Sequence, residues 1–278
     1  MVSIAIEFVD LHFRYPGGVE AVRGVSLTVG AGERVAIVGE NGAGKTTLVR
    51  HLNGILRPTS GTVLVGGAST RDRSIAQLAA QVGYVFQNPD EQLFANTIGA
   101  DVEFGPRNLG CTPSEAAARA ASALATVQLQ DQAGLHPHHL SPSERKRVAL
   151  AGVLAMQTPV VVLDEPTTGQ DARGVEIVAG VVDSIAAQGR TVVAITHDMD
   201  FCAEHFDRVV VMADGLVQAD GDTRAVFDQV GTLERAAVEP PQLLRLAAHL
   251  GWHARPLTPA EFVDASTREP RDPGTRVD

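Results

Sequence analysis

The stretch Gly39-Glu40-Asn41-Gly42-Ala43-Gly44-Lys45-Thr46-Thr47 follows the apolar run Val35-Ala36-Ile37-Val38 and precedes Leu48-Val49. An apolar strand, a glycine-rich loop and a helix start in that order fit G-x-x-x-x-G-K-[ST], with Gly39, Gly44, Lys45 and Thr46 in the required places. Glycines let the backbone N–H groups of residues 39–44 turn inward around a phosphate, and the following helix start adds partial positive charge. In such a loop the lysine, here Lys45, reaches the β- and γ-phosphates. The hydroxyl, here Thr46, holds Mg²⁺, and Thr47 lies beside it. The competing reading is a glycine-rich turn that binds nothing, which would require neither the strand before it nor the helix after it. The stretch therefore predicts a site for a nucleoside triphosphate with Mg²⁺.

The 278 residues are enough for one large core plus a small appendage. Acidic residues outnumber basic ones 33 to 23, a net charge of −10, which argues against a nucleic-acid partner. The two cysteines, Cys111 and Cys202, have no metal-ligand spacing and are expected to be free thiols in a reducing compartment. Met1-Val2-Ser3-Ile4-Ala5-Ile6-Glu7 lacks the basic start and apolar core of a signal peptide. Apolar stretches such as Ala149 to Met156 are too short to span a bilayer. The expectation is a protein that does not cross a membrane, although it is free to dock on one.

Residues 3–37 read as short strands with turns at Pro16-Gly17-Gly18 and Gly30-Ala31-Gly32; Ile4, Ile6 and Phe8, and Val25, Leu27 and Val29, alternate as half-buried strands do. Residues 61–65 and 82–86 read as further strands. From residue 88 the pattern becomes alanine-rich and helical, notably Ser114 to Val127, and predicts an inserted helical subdomain over about 88–158. Alternation then resumes with strand Val160–Leu163, a helix near 172–187, strand Thr191–Thr196, a helix near 199–206 and strand Arg208–Met212. Continuous apolar strands between helices predict a mainly parallel sheet covered on both faces. Pro240-Pro241 and Thr258-Pro259 open two more helices, a small C-terminal appendage over 231–266. The polar, Pro-rich tail 267–278 is expected to be disordered.

Three strand ends carry further chemistry. Val160-Val161-Val162-Leu163 runs into Asp164-Glu165. Carboxylates at the C-terminal end of a parallel strand lie beside the phosphate crevice, so Asp164 is a candidate Mg²⁺ ligand and Glu165 a candidate base for the attacking water. Ile195-Thr196-His197 offers a histidine to the γ-phosphate, and Val85-Phe86-Gln87 offers an amide to Mg²⁺ or water. Alone, each would read as an ordinary polar strand end. Tyr15 is either a platform for adenine or a half-buried strand aromatic.

The order Tyr15, residues 39–47, Gln87, Leu140-Ser141, Asp164-Glu165, Gly169-Gln170-Asp171 and His197 resembles the ATP-binding-cassette (ABC) ATPases over residues 3–230. The resemblance implies an α/β P-loop NTPase: a mainly parallel sheet, an N-terminal antiparallel β-subdomain, an inserted helical subdomain and a small C-terminal helical appendage. The stretches Phe86–Phe94 and Asp101–Gly110 are similar to those of the ATPase subunits of energy-coupling factor importers, which take up vitamins or cobalt and nickel ions. The segment 231–266 resembles, more weakly, their dimerisation segment. The resemblance further implies that two such subunits sandwich two ATP molecules, with Ser141 and Ser143 of one chain meeting the nucleotide of the other. It implies partnership with a transmembrane coupling subunit and a substrate-binding membrane subunit, and a peripheral place on the cytoplasmic face of the cell membrane.

The chain departs from the family at its signature, usually Leu-Ser-Gly-Gly-Gln and here Leu140-Ser141-Pro142-Ser143-Glu144. Ser141 at N-cap, Pro142 at N1 and Glu144 at N3 form a capping box and predict a helix start. Glu144 brings negative charge towards the partner's phosphate and competes for the Ser141 hydroxyl, and Arg145, Lys146 and Arg147 are candidates to offset that charge. The expectation is an asymmetric pair in which this chain's own phosphate loop fires against a standard signature, so a heterodimer is favoured over a homodimer. The alternatives are a non-catalytic or weakly catalytic nucleotide-binding partner in an asymmetric ATPase pair, and a soluble ABC ATPase outside transport. Gln170, where most of the family carry leucine, has no evident consequence in sequence.

Overall fold

The computed structural model describes residues 3–268. Among them ten strands are formed: β1 Ile4–Arg14, β2 Glu20–Gly30, β3 Arg34–Val38, β4 Ser60–Val65, β5 Ala68–Ser69, β6 Val82–Val85, β7 Val160–Asp164, β8 Thr191–Ile195, β9 Arg208–Ala213 and β10 Leu216–Asp222. They build a four-stranded antiparallel sheet in the order β2-β1-β4-β5 and a six-stranded sheet in the order β10-β9-β3-β8-β7-β6. In the larger sheet β9, β3, β8, β7 and β6 run parallel, and only β10 is antiparallel to its neighbour.

The apolar runs of β7 and β8 are buried along their whole length, and β3 is buried from Val35 to Val38. The pleat sends alternate residues to opposite faces. Ala36, Val38, Val161 and Leu163 join a core shared with the helices. Val35, Ile37, Val160 and Val162 join a second core shared with the antiparallel sheet and Leu48, Val49 and Leu52. The central strands thus have water on neither face, which explains runs of valine in place of alternation.

The predicted alternation of Ile4 with Ile6 fails at its first residue. Ile4 is 47% exposed, because the β1–β2 register shifts between Ile4 and Ile6 and turns its side chain outward. Strand β10, which closes the edge beyond β9, was not expected from the sequence: its residues 216–222 are half-buried or exposed and carry no apolar run.

Between β6 and β7 the chain forms the helices Ile98–Asn108, Pro113–Thr126 and Pro142–Met156. Thr112 with Glu115 and Ser141 with Glu144 are complete capping boxes, each followed by proline at the first helical position. After β7 and β8 come the helices Ala172–Ala187 and Met199–His205, capped by Asp171 and Asp198. Beyond β10 lie Thr223–Phe227, Val230–Arg235, Gln242–His249 and Pro259–Arg268. Of the tail expected to be disordered, Thr267 and Arg268 close the last helix, and 269–278 lie outside the described residues. Among the described residues no helix is long and apolar enough to cross a membrane.

Candidate active site

The phosphate loop leaves the centre of the sheet, between β3 and the short helix Lys45–Val49. Two of its glycines are required by close backbone approach. A Cβ on Gly39 would stand 2.0 Å from the Met212 carbonyl oxygen, and one on Gly44 2.2 Å from that of Ala21; both residues also have positive φ, +148° and +97°. Lys45 is buried beneath the loop, its Nζ donating to the carbonyls of Gly39 at 2.7 Å and Glu40 at 2.9 Å. Burial pulls its pKa down, and the carboxylates of Glu165, Asp164 and Glu40 pull it back.

Asp164, the last residue of β7, is 0% exposed. One oxygen, Oδ1, accepts from Thr46 Oγ1 at 3.2 Å, and the other, Oδ2, accepts from Tyr84 Oη at 2.8 Å. Burial raises the Asp164 pKa, opposed by those two hydrogen bonds and by Arg50 and Lys45. Tyr84 is itself buried, and its phenol is held protonated by burial and by the adjacent carboxylate. Sequence reasoning missed Tyr84. Nothing marks it off from an ordinary strand aromatic, and only the parallel β6–β7 register, Tyr84 opposite Val162, carries its hydroxyl to Asp164.

Glu165 takes the left-handed backbone conformation, φ +53°, uncommon for a residue with a side chain. Three polar contacts hold it there. Its N–H donates to the Ile195 carbonyl at 2.9 Å, its carbonyl accepts from Lys146 Nζ at 2.6 Å, and Oε2 accepts from Thr168 Oγ1 at 3.1 Å. Its Oε1 lies 3.0 Å from His197 Nε2. Burial raises the Glu165 pKa, opposed first by His197. The imidazole of His197 is 44% exposed and forms part of the crevice wall. Lys146 and Thr168 were not expected at this site. They come from the helix Pro142–Met156 and the turn after β7, which only the fold brings together.

An open crevice of about 500 Å³ collects Asn41 to Thr47, Gln87, Glu165 and His197, with Tyr15 and Val19 on its wall. Gln87 is exposed there. Tyr15 stands edge-on to Phe13, ring centroids 4.9 Å apart, and its hydroxyl lies 3.0 Å from Thr47 Oγ1. The Tyr15 ring is thereby fixed at the mouth of the loop.

Ser141 and Ser143 are not part of this crevice. The Ser141 hydroxyl and N–H both donate to Glu144 Oε2, at 2.8 and 2.9 Å. Those bonds hold the Glu144 carboxyl below the usual range. The expectation that neighbouring cations offset Glu144 needs correction. Arg145 pairs with Asp90 at 3.4 Å, Lys146 is committed to the Glu165 and Thr168 carbonyls, and Arg147 donates to the Val127 carbonyl at 2.9 Å. None of the three hydrogen-bonds to the Glu144 oxygens, which accept from Ser141 and Gln132. Arg147 acts on Glu144 only weakly.

The donors around Thr46 are oxygens: its hydroxyl, the Asp164 carboxylate it touches and the Gln87 amide on the rim. Among the described residues no group of three or more His, Cys, Asp or Glu could hold a metal. One carboxylate and one hydroxyl beside a phosphate loop suit Mg²⁺, which keeps most of its water and takes other ligands from substrate phosphates.

Comparison with known proteins agrees with this geometry. The ABC transporter family model matches residues 22–168. The chain is 43% identical over 243 residues to the energy-coupling factor transporter ATP-binding protein EcfA of Methanocaldococcus jannaschii, covering 87% of each chain. It is 44% identical over 239 residues to the cobalt import ATP-binding protein CbiO of Rhodobacter capsulatus, covering 85% of each. Among solved structures it superposes on cbiO1 of Clostridium perfringens, part of the ABC transporter complex cbiONQ, with a TM-score of 0.75 and 33% identity, covering 90% of this chain and 99% of that one. The chain belongs to the ABC transporter ATPases, in the group of the energy-coupling factor and cobalt-import ATP-binding proteins.

Proposed function

We propose that this chain binds Mg-ATP in the crevice of residues 39–47 and hydrolyses it to power a membrane importer of the energy-coupling factor type, with a vitamin or a transition-metal ion such as cobalt as cargo. One observation carries the reading: a single crevice unites the phosphate loop with Gln87, Glu165 and His197. Mg-ATP, when bound, supplies the phosphoanhydride and the metal charge on its phosphates. Lys45 and the loop N–H groups neutralise and orient those phosphates. Thr46 and Asp164 hold the metal, and Tyr84 orients the Asp164 carboxylate towards it. Glu165, its pKa raised by burial, takes the proton of the attacking water, and His197 keeps it aligned. Tyr15 receives the adenine.

Two surfaces support the proposed partners. An apolar groove of about 390 Å³ opens beside the helical segment, lined among others by Ile55, Ile75, Phe94 and Phe104. Phe94 and Phe104, 65% and 50% exposed, meet edge to face with centroids 4.7 Å apart. Such a patch suits an apolar helix of a transmembrane coupling subunit, and that docking would set the chain on the cytoplasmic face of the membrane. A second ATPase subunit would complete each nucleotide site. The engagement of Ser141 by Glu144 favours a heterodimer, with a standard signature on the partner.

The testing experiment is Mg-ATP hydrolysis by the purified chain over a range of protein concentrations, with Lys45→Ala as the blank. Nucleotide binding with no turnover, relieved by adding membranes that contain a partner subunit, supports the heterodimer. Turnover rising faster than linearly with concentration supports a homodimer with a competent signature. Absence of nucleotide binding refutes the reading altogether.

A further inference from the structure

Two departures of this chain, Ser143 and Gln170, meet in space although they are 27 residues apart. The Ser143 hydroxyl donates to Gln170 Oε1 at 2.7 Å, and Gln170 Nε2 donates back to the Ser143 carbonyl at 3.3 Å. A third residue makes room for the pair. A Cβ on Gly174 would stand 2.1 Å from Gln170 Oε1, so the amide occupies space that only glycine leaves open. Gly174 lies in the first turn of the helix Ala172–Ala187, where glycine is a poor helix former. Side chain, partner and vacancy thus match across three separate positions.

The pair joins two functional turns. Ser143 belongs to the start of the helix Pro142–Met156, the surface offered to a partner's nucleotide. Gln170 belongs to the turn that leads out of Glu165, and its N–H donates to the Thr167 carbonyl at 3.1 Å. A second tie runs alongside: Lys146, one helical turn beyond Ser143, donates from Nζ to the carbonyls of Glu165 and Thr168, at 2.6 and 2.7 Å. Thr168 in turn donates to the Glu165 carboxylate at 3.1 Å. A displacement of Glu165 therefore has two short routes to the signature turn, one by hydrogen bond through Lys146 and one along the backbone of residues 165–170 to the Gln170–Ser143 pair.

We propose that Gln170 is a positioning residue that ties the Ser141–Glu144 turn to the turn of Glu165, so that loading of this chain's own crevice alters the surface it offers to a partner's nucleotide. The proposal rests on the paired-subunit reading above. A leucine at 170 has no side-chain group to donate or accept and would leave the Lys146 route alone.

The test is amide hydrogen exchange of the full-length chain, with and without Mg-ATP, at a dilution where light scattering shows monomer. Protection of segment 141–147 then passes only within the chain. In the wild type Mg-ATP is expected to slow exchange several-fold at 39–47 and also at 141–147. Gln170→Leu is expected to keep the first effect and lose most of the second. Ser143→Ala should match it, the double variant should be no worse than either single one, and Ser143→Thr, which keeps the hydroxyl, should restore the response. A wild type that responds at 39–47 but not at 141–147 overturns the proposal and leaves the ATPase reading intact. So does Gln170→Leu if it speeds exchange at 141–147 equally with and without nucleotide, which is a structural tie alone. No response at 39–47 removes both.

Discussion

Replacing Tyr84 by phenylalanine deletes one oxygen and keeps the ring. That oxygen donates the 2.8 Å hydrogen bond to Asp164 Oδ2, and both partners are buried, Asp164 completely. Loss of a hydrogen bond to a buried charged group costs about 2 kcal/mol, which for a chain of this size corresponds to a fall in Tm of roughly 3–4 °C. The sign with pH follows from Asp164. Its folded pKa is raised by burial, and Tyr84 opposes that rise. The ionised carboxylate therefore costs stability at neutral pH, and the cost vanishes once pH falls below the unfolded value of about 4. Without Tyr84 the folded pKa rises further. The Tm gap between wild type and Tyr84→Phe should be widest at neutral pH and close as the solution is acidified. Thermal unfolding by circular dichroism at a series of pH values measures it. A Mg²⁺ titration of hydrolysis should half-saturate at a higher Mg²⁺ concentration in the variant. An unchanged Tm at neutral pH, or a gap that does not narrow in acid, would falsify the assignment of Tyr84 as the hydrogen-bond donor that steadies Asp164.

Four other outcomes are expected. Because burial raises the Glu165 pKa, the acid limb of the rate–pH profile should lie above the ordinary carboxylate range, and Glu165→Gln should lower turnover by about 10²–10⁴-fold and abolish that limb while ATP binding persists. Gly39→Ala should lose nucleotide binding, since a Cβ there meets the Met212 carbonyl at 2.0 Å; calorimetric titration with ATP checks it. Glu144→Gln removes a charge from the surface proposed to face a partner's phosphate, worth about 1 kcal/mol, so the assembled complex should show a KM for ATP lower by a few-fold. Phe94→Asp should release the chain from membranes in a flotation assay and leave its ATP affinity unchanged, because Phe94 is outside the nucleotide crevice.

The nucleotide crevice was legible wherever chemistry depends on local order. A strand, a glycine loop and a lysine are consecutive in the chain, so Gly39 to Thr47 could be read directly. Strand-end polar groups such as Asp164, Glu165 and His197 could be read because a parallel sheet places the C-terminal ends of its strands on one edge. What stayed hidden depends on register and on crossings between distant segments. Tyr84 reaches Asp164 through the β6–β7 pairing, and Lys146 reaches Glu165 from a different helix. The outward turn of Ile4 comes from a register shift, and edge strand β10 has no apolar run to announce it.

The signature region divides in the same way. Its sequence determined a capped helix start, because N-cap serine, N1 proline and N3 glutamate act within four residues, and the capping box formed as expected. Only the tertiary structure decided where its charges and hydroxyls point. Arg145 turns to Asp90, Arg147 to Val127, and Ser143 to Gln170 over the gap left by Gly174. Hydrogen bonds a few residues apart are fixed by the backbone that carries them, whereas those between distant segments exist only once the packing of whole helices has set their separation.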